Sequence, residues 1–306
     1  MMCHNRVLAL VLVLLAGVCC GPPATSCADT LYVSPAGDDN WSGRLEQPDG
    51  ARTDGPLATL HGARARLRQL RAAGSAQPPL TVRVLDGVYY LPEPFVLTPE
   101  DSGSADAPVV FEAAAGARPV LSGGQVISGF QQHGPLWEVE IPEVKAGQWY
   151  FRQLFVNGQR RQRARSPNTG YHRVAQTLPG PPDAQNRPIA RDRFVFAPDD
   201  LAPWQQIEDV NLILMHSWET SIHPLKSVDA AARTVYFAAP LKEWWCIGFW
   251  EPQQRYYVEN ARELLDQPGE WYLSRDTGVL SYWPLPGEQL ADARVVAPRL
   301  TELVRL

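Results

Sequence analysis

Residues 256–284 read YYVENARELLDQPGEWYLSRDTGVLSYWP. Within them Trp271–Ser274 and Val279–Trp283 are two apolar-rich runs separated by Arg275-Asp276-Thr277-Gly278, whose glycine supplies the left-handed residue of a tight reversal. That spacing predicts a β-hairpin, and hairpins between sequence neighbours build antiparallel sheets rather than solenoid coils. The same signal recurs upstream. Leu154–Arg160 carries Asn157-Gly158, a pair that tolerates positive φ at both turn positions, and Leu225–Val228 and Thr234–Phe237 flank the turn Asp229–Arg233. Nine of the ten Trp residues, all but Trp41, fall in this region. Residues 128–288 are therefore expected to form an antiparallel β-sandwich or barrel, with Gln176–Asp192 and Leu241–Arg255 as long loops.

Residues 29–127 follow a different pattern. Leu31–Val33 reads as a short strand, and a turn-rich segment follows it. A helix is expected over Pro56–Arg71, with Pro56 at its first position, Asp54 as a cap and Gly74 beyond its end. Leu57, Leu60, Ala63, Leu67 and Leu70 form one apolar face, while Arg64, Arg66, Arg68 and Arg71 occupy a face read as solvated. Very short β runs come next: Thr81–Leu85, Val88–Leu91, Phe95–Leu97, Val109–Phe111, Pro119–Leu121 and Gln125–Ile127. A sealing helix followed by runs at this cadence fits the opening coils of a right-handed parallel β-helix. A sandwich would also give short runs, though longer and more cleanly alternating ones. Val295–Val296 and Leu303–Leu306 return to the short-run style, so 289–306 is expected as a return strand of that solenoid. The fold class is thus all-β: a cap helix and first β-helix coils, with an inserted antiparallel domain.

A formal charge of −5 on 306 residues, 45% of them hydrophobic, gives no electrostatic case for nucleic acid. Arg6, the apolar run Val7–Val18 and the small residues Ser26-Cys27-Ala28 before Asp29 make 1–28 a signal peptide, too short to span a bilayer. The expected location is secreted or periplasmic, extending to the outer cell surface, with no membrane segment after cleavage. A lipoprotein would need Cys27 acylated, and Ala24-Thr25-Ser26 is a poor signal for that. Only Cys246 remains in the mature chain, which excludes an intrachain disulfide and a cysteine-cluster metal site.

Four segments resemble secreted parallel β-helix proteins with an inserted β-domain, typified by glycoside hydrolase family 141. They are YVSPAGDDNWSG (32–43) with GPLATL (55–60), DGVYYLPEPFVLTPEDSGSADAPVVFEAAAGARPVLSGG (86–124), FRQLFVNGQRRQRARSPN (151–168) and the closing LLDQPGEWYLSRDTGVLSYWP (264–284). The resemblance implies a polysaccharide or oligosaccharide substrate and no cofactor. Family members continue into further coils, where catalytic carboxylates are expected, so this chain is expected to be an N-terminal portion, inactive and poorly soluble alone. Its catalytic residues are expected beyond Leu306.

Hydrolysis of a glycoside needs two carboxylates across the sugar, and no spacing identifies a pair. The most suggestive cluster is His216, Trp218 and Glu219, with His223, where a strand would put an aromatic platform beside an imidazole. The bland alternative is a core Trp with polar neighbours at a strand end. Trp244, Trp245 and Trp250 with Tyr256 and Tyr257 are candidates to stack on sugar rings, and Glu259 and Asn260 to bond hydroxyls. The same aromatics would equally serve as core. Asp38-Asp39 and Asp199-Asp200 lack the alternating ligands of a calcium loop and read as exposed turns, so no metal is expected. Two other functions stay open. One is a non-catalytic carbohydrate-binding or surface module. The other is a polysaccharide lyase, although none of Lys145, Lys226 and Lys242 sits in a suggestive context.

Overall fold

The structure is a computed structural model describing residues 29–182, 189–241, 247–248 and 251–306. The expected signal peptide, Trp244, Trp245, Cys246 and Trp250 lie outside the described residues. The chain is all-β apart from two helices and a few short turns of 3₁₀ helix, and it divides into two units. One is Met1–Gly87 with Leu97–Val120, the other Val88–Val96 with Leu121–Leu306.

The first unit holds β1 (Thr30–Val33), α1 (Leu60–Ala72), β2 (Leu80–Val84) and β5 (Val109–Ala113). Between β2 and β5 in sequence lie β3 (Val88–Tyr90) and β4 (Phe95–Val96), which belong to the second unit. β1, β2 and β5 pair in parallel, with Leu31 opposite Val82 and Val82 opposite Phe111. Leu31, Val33, Val82 and Val84 alternate inward and are buried.

α1 begins four residues later than the periodicity suggests. Thr59 is its cap: the hydroxyl accepts the Gly62 N–H at 2.8 Å. Leu57 shares the apolar spacing but is extended and bridged to Val33. Asp54 caps no helix, and instead accepts the Ser42 N–H and hydroxyl at 2.7 Å. Nor is the arginine face of α1 merely solvated. Arg66 donates to the Trp41 carbonyl, Arg68 forks onto Asp101 at 2.7 and 2.6 Å, and Arg71 donates to the Glu100 and Ser102 carbonyls. Arg68 and Arg71 clamp the 3₁₀ turn Pro99–Asp101 onto the helix.

In the second unit, β6 (Val120–Ser122) pairs with β3, and β23 (Val304–Arg305) pairs in parallel with β4. Two larger sheets fill the rest. The first takes β7 (Gly124–Ile127), β8 (Gln131–His133), β9 (Leu136–Glu140), β10 (Leu154–Val156) and β11 (Gln159–Arg163). It is completed by β20 (Glu270–Leu273), β21 (Val279–Tyr282) and β22 (Val295–Pro298), in the order β7-β22-β10-β11-β20-β21-β9-β8. The second takes β12 (Arg165–Ser166), β13 (His172–Arg173), β14 (Gln176–Pro179), β15 (Ile189–Val195) and β16 (Asn211–Met215). With β17 (Thr220–Asp229), β18 (Thr234–Phe237) and β19 (Arg255–Glu259), its order is β12-β19-β16-β17-β18-β15-β14, and β13 also pairs with β19. All pairs are antiparallel except β11 with β20.

The three expected hairpins are present. Asn157 (φ 53°) and Gly158 (φ 76°) turn β10 into β11, and Gly278 (φ 71°) turns β20 into β21. Other expectations are corrected. Gln176–Asp192 is no plain loop, because β14 pairs with β15; the hairpin tip lies outside the described residues. Val295–Val296 belongs to no solenoid return, for β22 pairs antiparallel with both β7 and β10. The antiparallel region thus runs from Gly124 to Pro298, and its two ends are zipped together: the Gly123 carbonyl accepts the N–H groups of Arg299 and Leu300 at 2.9 and 2.8 Å. Among the described residues neither sheet closes into a barrel. Among the described residues each sheet buries its own main cluster rather than sharing one sandwich core: Trp137, Trp271, Leu280 and Tyr282 in the first, Phe194, Leu212, Tyr256 and Val258 in the second.

Candidate functional site

The chain passes from the first sheet to the second at Ala164, which is completely buried between β11 and β12. Its N–H donates to the Trp271 carbonyl and its carbonyl accepts the Asn260 N–H, both at 2.8 Å. A second crossing, from β19 to β20, therefore runs beside the first. Asn260 holds the two together. It has φ 66°, a left-handed conformation that asparagine tolerates better than most residues. Its Oδ1 accepts from Arg163 Nε and the Leu273 N–H at 3.0 Å, and its Nδ2 donates to the carbonyls of Leu273 and Asp209 at 3.0 and 3.1 Å.

A groove of about 310 Å³ opens at this crossing. β19 supplies Tyr257 and Glu259, which share a face by the two-residue period of a strand. The opposite side is Arg152 with the run Arg160–Arg163 and Arg165. Two of these arginines are buried. Arg161 donates to the Tyr282 hydroxyl and is paired with Glu288, and Arg163 pairs with Glu259 at 3.2 Å. Buried guanidinium groups need such partners. Burial alone would push the Glu288 carboxyl up, but hydrogen bonds from Tyr282 and Arg161 outweigh it and hold the carboxyl below the usual range. Arg165 lies over the Tyr257 ring, its Cζ 3.9 Å from the centroid. Burial, and then the Glu259 charge, pushes the Tyr257 phenol up, so it stays neutral at physiological pH. Arg152 and Arg160 are exposed, with no carboxylate partner among the described residues.

The other candidates distribute as follows. The strand expected through His216 stops at Met215, and His216–Glu219 reverses the chain, the His216 N–H donating to the Glu219 carbonyl at 2.8 Å. His216 and Trp218 therefore do not share a strand face. His216 is buried between Ser221 Oγ (2.7 Å) and Gln254 Nε2 (3.1 Å), and Ser221 also contacts His223. Burial, then the neighbouring His216, pulls His223 down to about 4. Trp218 is 69% exposed, which rules out a core role. This cluster sits opposite Gln254, five residues from Glu259 along one extended chain or about 17 Å, so it is not part of the groove.

Tyr256 is core. Its side chain is fully buried and donates to Asp200 at 2.8 Å, so its ring is no sugar platform. Asn260 is likewise buried structure rather than a hydroxyl binder. Of the proposed contacts, Tyr257 and Glu259 are brought together, while Trp244 and Trp245 lie outside the described residues. The paired aspartates are also not free turns. Asp39 accepts from the N–H groups of Ala58 and Thr59, and Asp200 binds Tyr256 and lies 3.0 Å from His172 Nδ1. Among the described residues no three His, Cys, Asp or Glu side chains gather as a metal site requires.

The groove arginines are candidate functional residues that composition and charge alone do not single out. A readable signal existed: Arg161, Arg163 and Arg165 recur at the strand period, and a row of charges on one face of a strand demands partners.

Comparison with known proteins locates the same region. Residues 134–285 match the family model described as the GH141 insertion domain. A solved structure named "Glycoside hydrolase" aligns with a TM-score of 0.66 at 27% identity, over 90% of this chain and 47% of that one. The chain thus spans about half the length of that structure. No curated protein sequence matches it.

Proposed function

We propose that this chain is part of a secreted glycoside hydrolase acting on a complex polysaccharide, and that its antiparallel region contributes one wall of the glycan-binding surface through the groove at Tyr257 and Glu259. The match of residues 134–285 to the insertion domain of a hydrolase family is the observation that carries this reading. The groove adds chemical support, since a fixed aromatic ring beside guanidinium donors and a carboxylate suits a polyhydroxylated ligand.

The finer fold reading belongs to the same proposal: the parallel pairs are the first turns of a right-handed β-helix. Its support is the order of the strands. β2, β3 and β4 follow one another in the chain, and their partners β5, β6 and β23 follow in the same order, with the antiparallel region interposed between β6 and β23. A solenoid repeats its strands in this way.

One observation favours a second reading, a binding module without catalysis. Glu259 is the groove's one carboxylate and is held by Arg163, whereas glycoside cleavage needs two. The test is retention of residues 29–306 on a panel of immobilised plant, algal and bacterial polysaccharides, followed by assay for reducing ends. We expect retention without sugar release. Failure to bind any glycan would overturn both readings, and release of reducing sugar would overturn the second.

A further inference from the structure

We propose that the groove binds an anionic group of a glycan, a carboxylate or a sulfate ester, with Arg152 and Arg160 as its free cations and Arg165 as its fixed one. The inference rests on the carbohydrate reading above and names the class of sugar.

The charge count of the groove is the starting point. Five guanidinium groups line it against one carboxylate, Glu259. Two of the five are committed elsewhere: Arg163 to Glu259 and Asn260, Arg161 to Glu288 and Tyr282. Glu270, buried behind Gln162 and bonded to its amide at 3.1 Å, does not line the groove, and burial pushes its carboxyl above the usual range. Three cations lining one groove remain without a carboxylate partner among the described residues, and like charges gathered in one groove repel. An anion in the groove removes that repulsion.

The geometry of Arg165 points the same way. Its Cζ sits over the Tyr257 ring and its Nη2 is bonded to the Gly170 carbonyl at 2.8 Å, which together hold the guanidinium in place. Its Nε is buried with no hydrogen-bond partner among the described residues. A guanidinium held in place in this way offers its charge to a carboxylate or to sulfate oxygens in the groove at little cost in side-chain order. Arg160 stands opposite Phe155 on the β10–β11 hairpin, and Arg152 precedes it by eight residues; both are exposed, with no carboxylate partner among the described residues. A neutral glycan would use Tyr257 and Glu259 but leave these cations unanswered.

The experiment compares polygalacturonate, the same polymer with its carboxylates fully methyl-esterified, and a chondroitin sulfate, by titration calorimetry with residues 29–306. We expect at least one polyanion to bind ten-fold or more tightly than the esterified polymer, with affinity falling as salt rises. Preference for polygalacturonate names a uronate as the source, and preference for chondroitin sulfate names a sulfate. The double variant Arg152→Ala/Arg160→Ala should lose ten-fold or more for the preferred polyanion at unchanged Tm, and Arg152→Lys/Arg160→Lys should recover part of it. Equal binding of esterified and free polymer, or an unaffected double variant, overturns the anionic subsite while leaving glycan binding intact. Absence of binding to every glycan, neutral ones included, is instead the failure of the broader reading. Short duplex DNA bound more tightly than either polyanion would overturn the assignment to sugars.

Discussion

Asn260 shows how much one side chain can decide. Five side-chain hydrogen bonds converge on it, tying Arg163 and the Tyr150 hydroxyl to the N–H and carbonyl of Leu273 and to the carbonyl of Asp209. Replacing it with alanine leaves the Leu273 N–H, two carbonyls and a buried guanidinium short of partners, and forces a left-handed residue without asparagine's tolerance for it. We expect Asn260→Ala to cost about 3 kcal/mol, read as a fall in Tm of roughly 10 °C. A loss near that of an average surface substitution would refute the role. None of this was legible in the sequence, where Asn260 looked like a hydroxyl-binding neighbour of Glu259. A polar residue in a polar run carries no mark of burial, and only the crossing of two strands at Ala164 creates it. Tyr257 and Tyr256 illustrate the converse. Adjacent residues of one strand face opposite ways, so one lines the groove and the other fills the core, and the sequence alone does not say which.

Among the elements, α1 and the turn Pro99–Asp101 form a clamp with a defined acid sensitivity. The Asp101 carboxyl is held at about 2 chiefly by hydrogen bonds from Arg68, against an ordinary value of 3.8. Because the folded-state value is depressed, the stabilisation is complete above pH 3.8 and is lost as pH falls through about 2. We expect amide protection in α1 to decline over that window by about 1–2 kcal/mol, after allowance for solvent screening. Asp101→Asn should abolish the decline in hydrogen-exchange measurements. Thr59→Ala should cost about 1 kcal/mol at neutral pH, since it removes the cap to Gly62 and the hydroxyl that Asp39 accepts. A variant as stable as the parent in denaturant melts would place the cap elsewhere. The hairpins were readable because glycine at positive φ is a local requirement. The start of α1 was not, because Leu57 continues the helical spacing while its backbone is claimed by a bridge to Val33. Gln176–Asp192 is illegible for a related reason: its prolines suggest a loop, yet Pro179 ends β14 and pairs with Ile189.

For the whole molecule, burial of phenols sets the alkaline limit. Burial, then the charge of Asp200 or Asp209, drives Tyr256 and Tyr272 far above the ordinary value of 10. Tyr282 follows through burial and its bond to Glu288. Since these groups are raised in the folded state, the stability they carry is full below pH 10 and is lost as pH rises beyond it. In an ultraviolet titration we expect these three of the ten tyrosines to ionise only together with unfolding. Reversible ionisation of all ten in the folded protein would contradict this packing. At this scale the all-β class and the change of pattern between the two halves were legible, because strand spacing and turn residues are written locally. The limits of the antiparallel region were not, since β7 and β22 are partners 170 residues apart and each alone looks like any short apolar run. Their pairing has a practical consequence. A segment whose two ends lie side by side, closed by the Gly123 carbonyl, can be bridged at almost no entropic expense. We expect excision of residues 124–298 with a short glycine bridge to spare the flanking strands, and transplantation into a tight reversal of an unrelated scaffold to leave both partners folded; loss of the flanking strands' amide protection on excision would refute this.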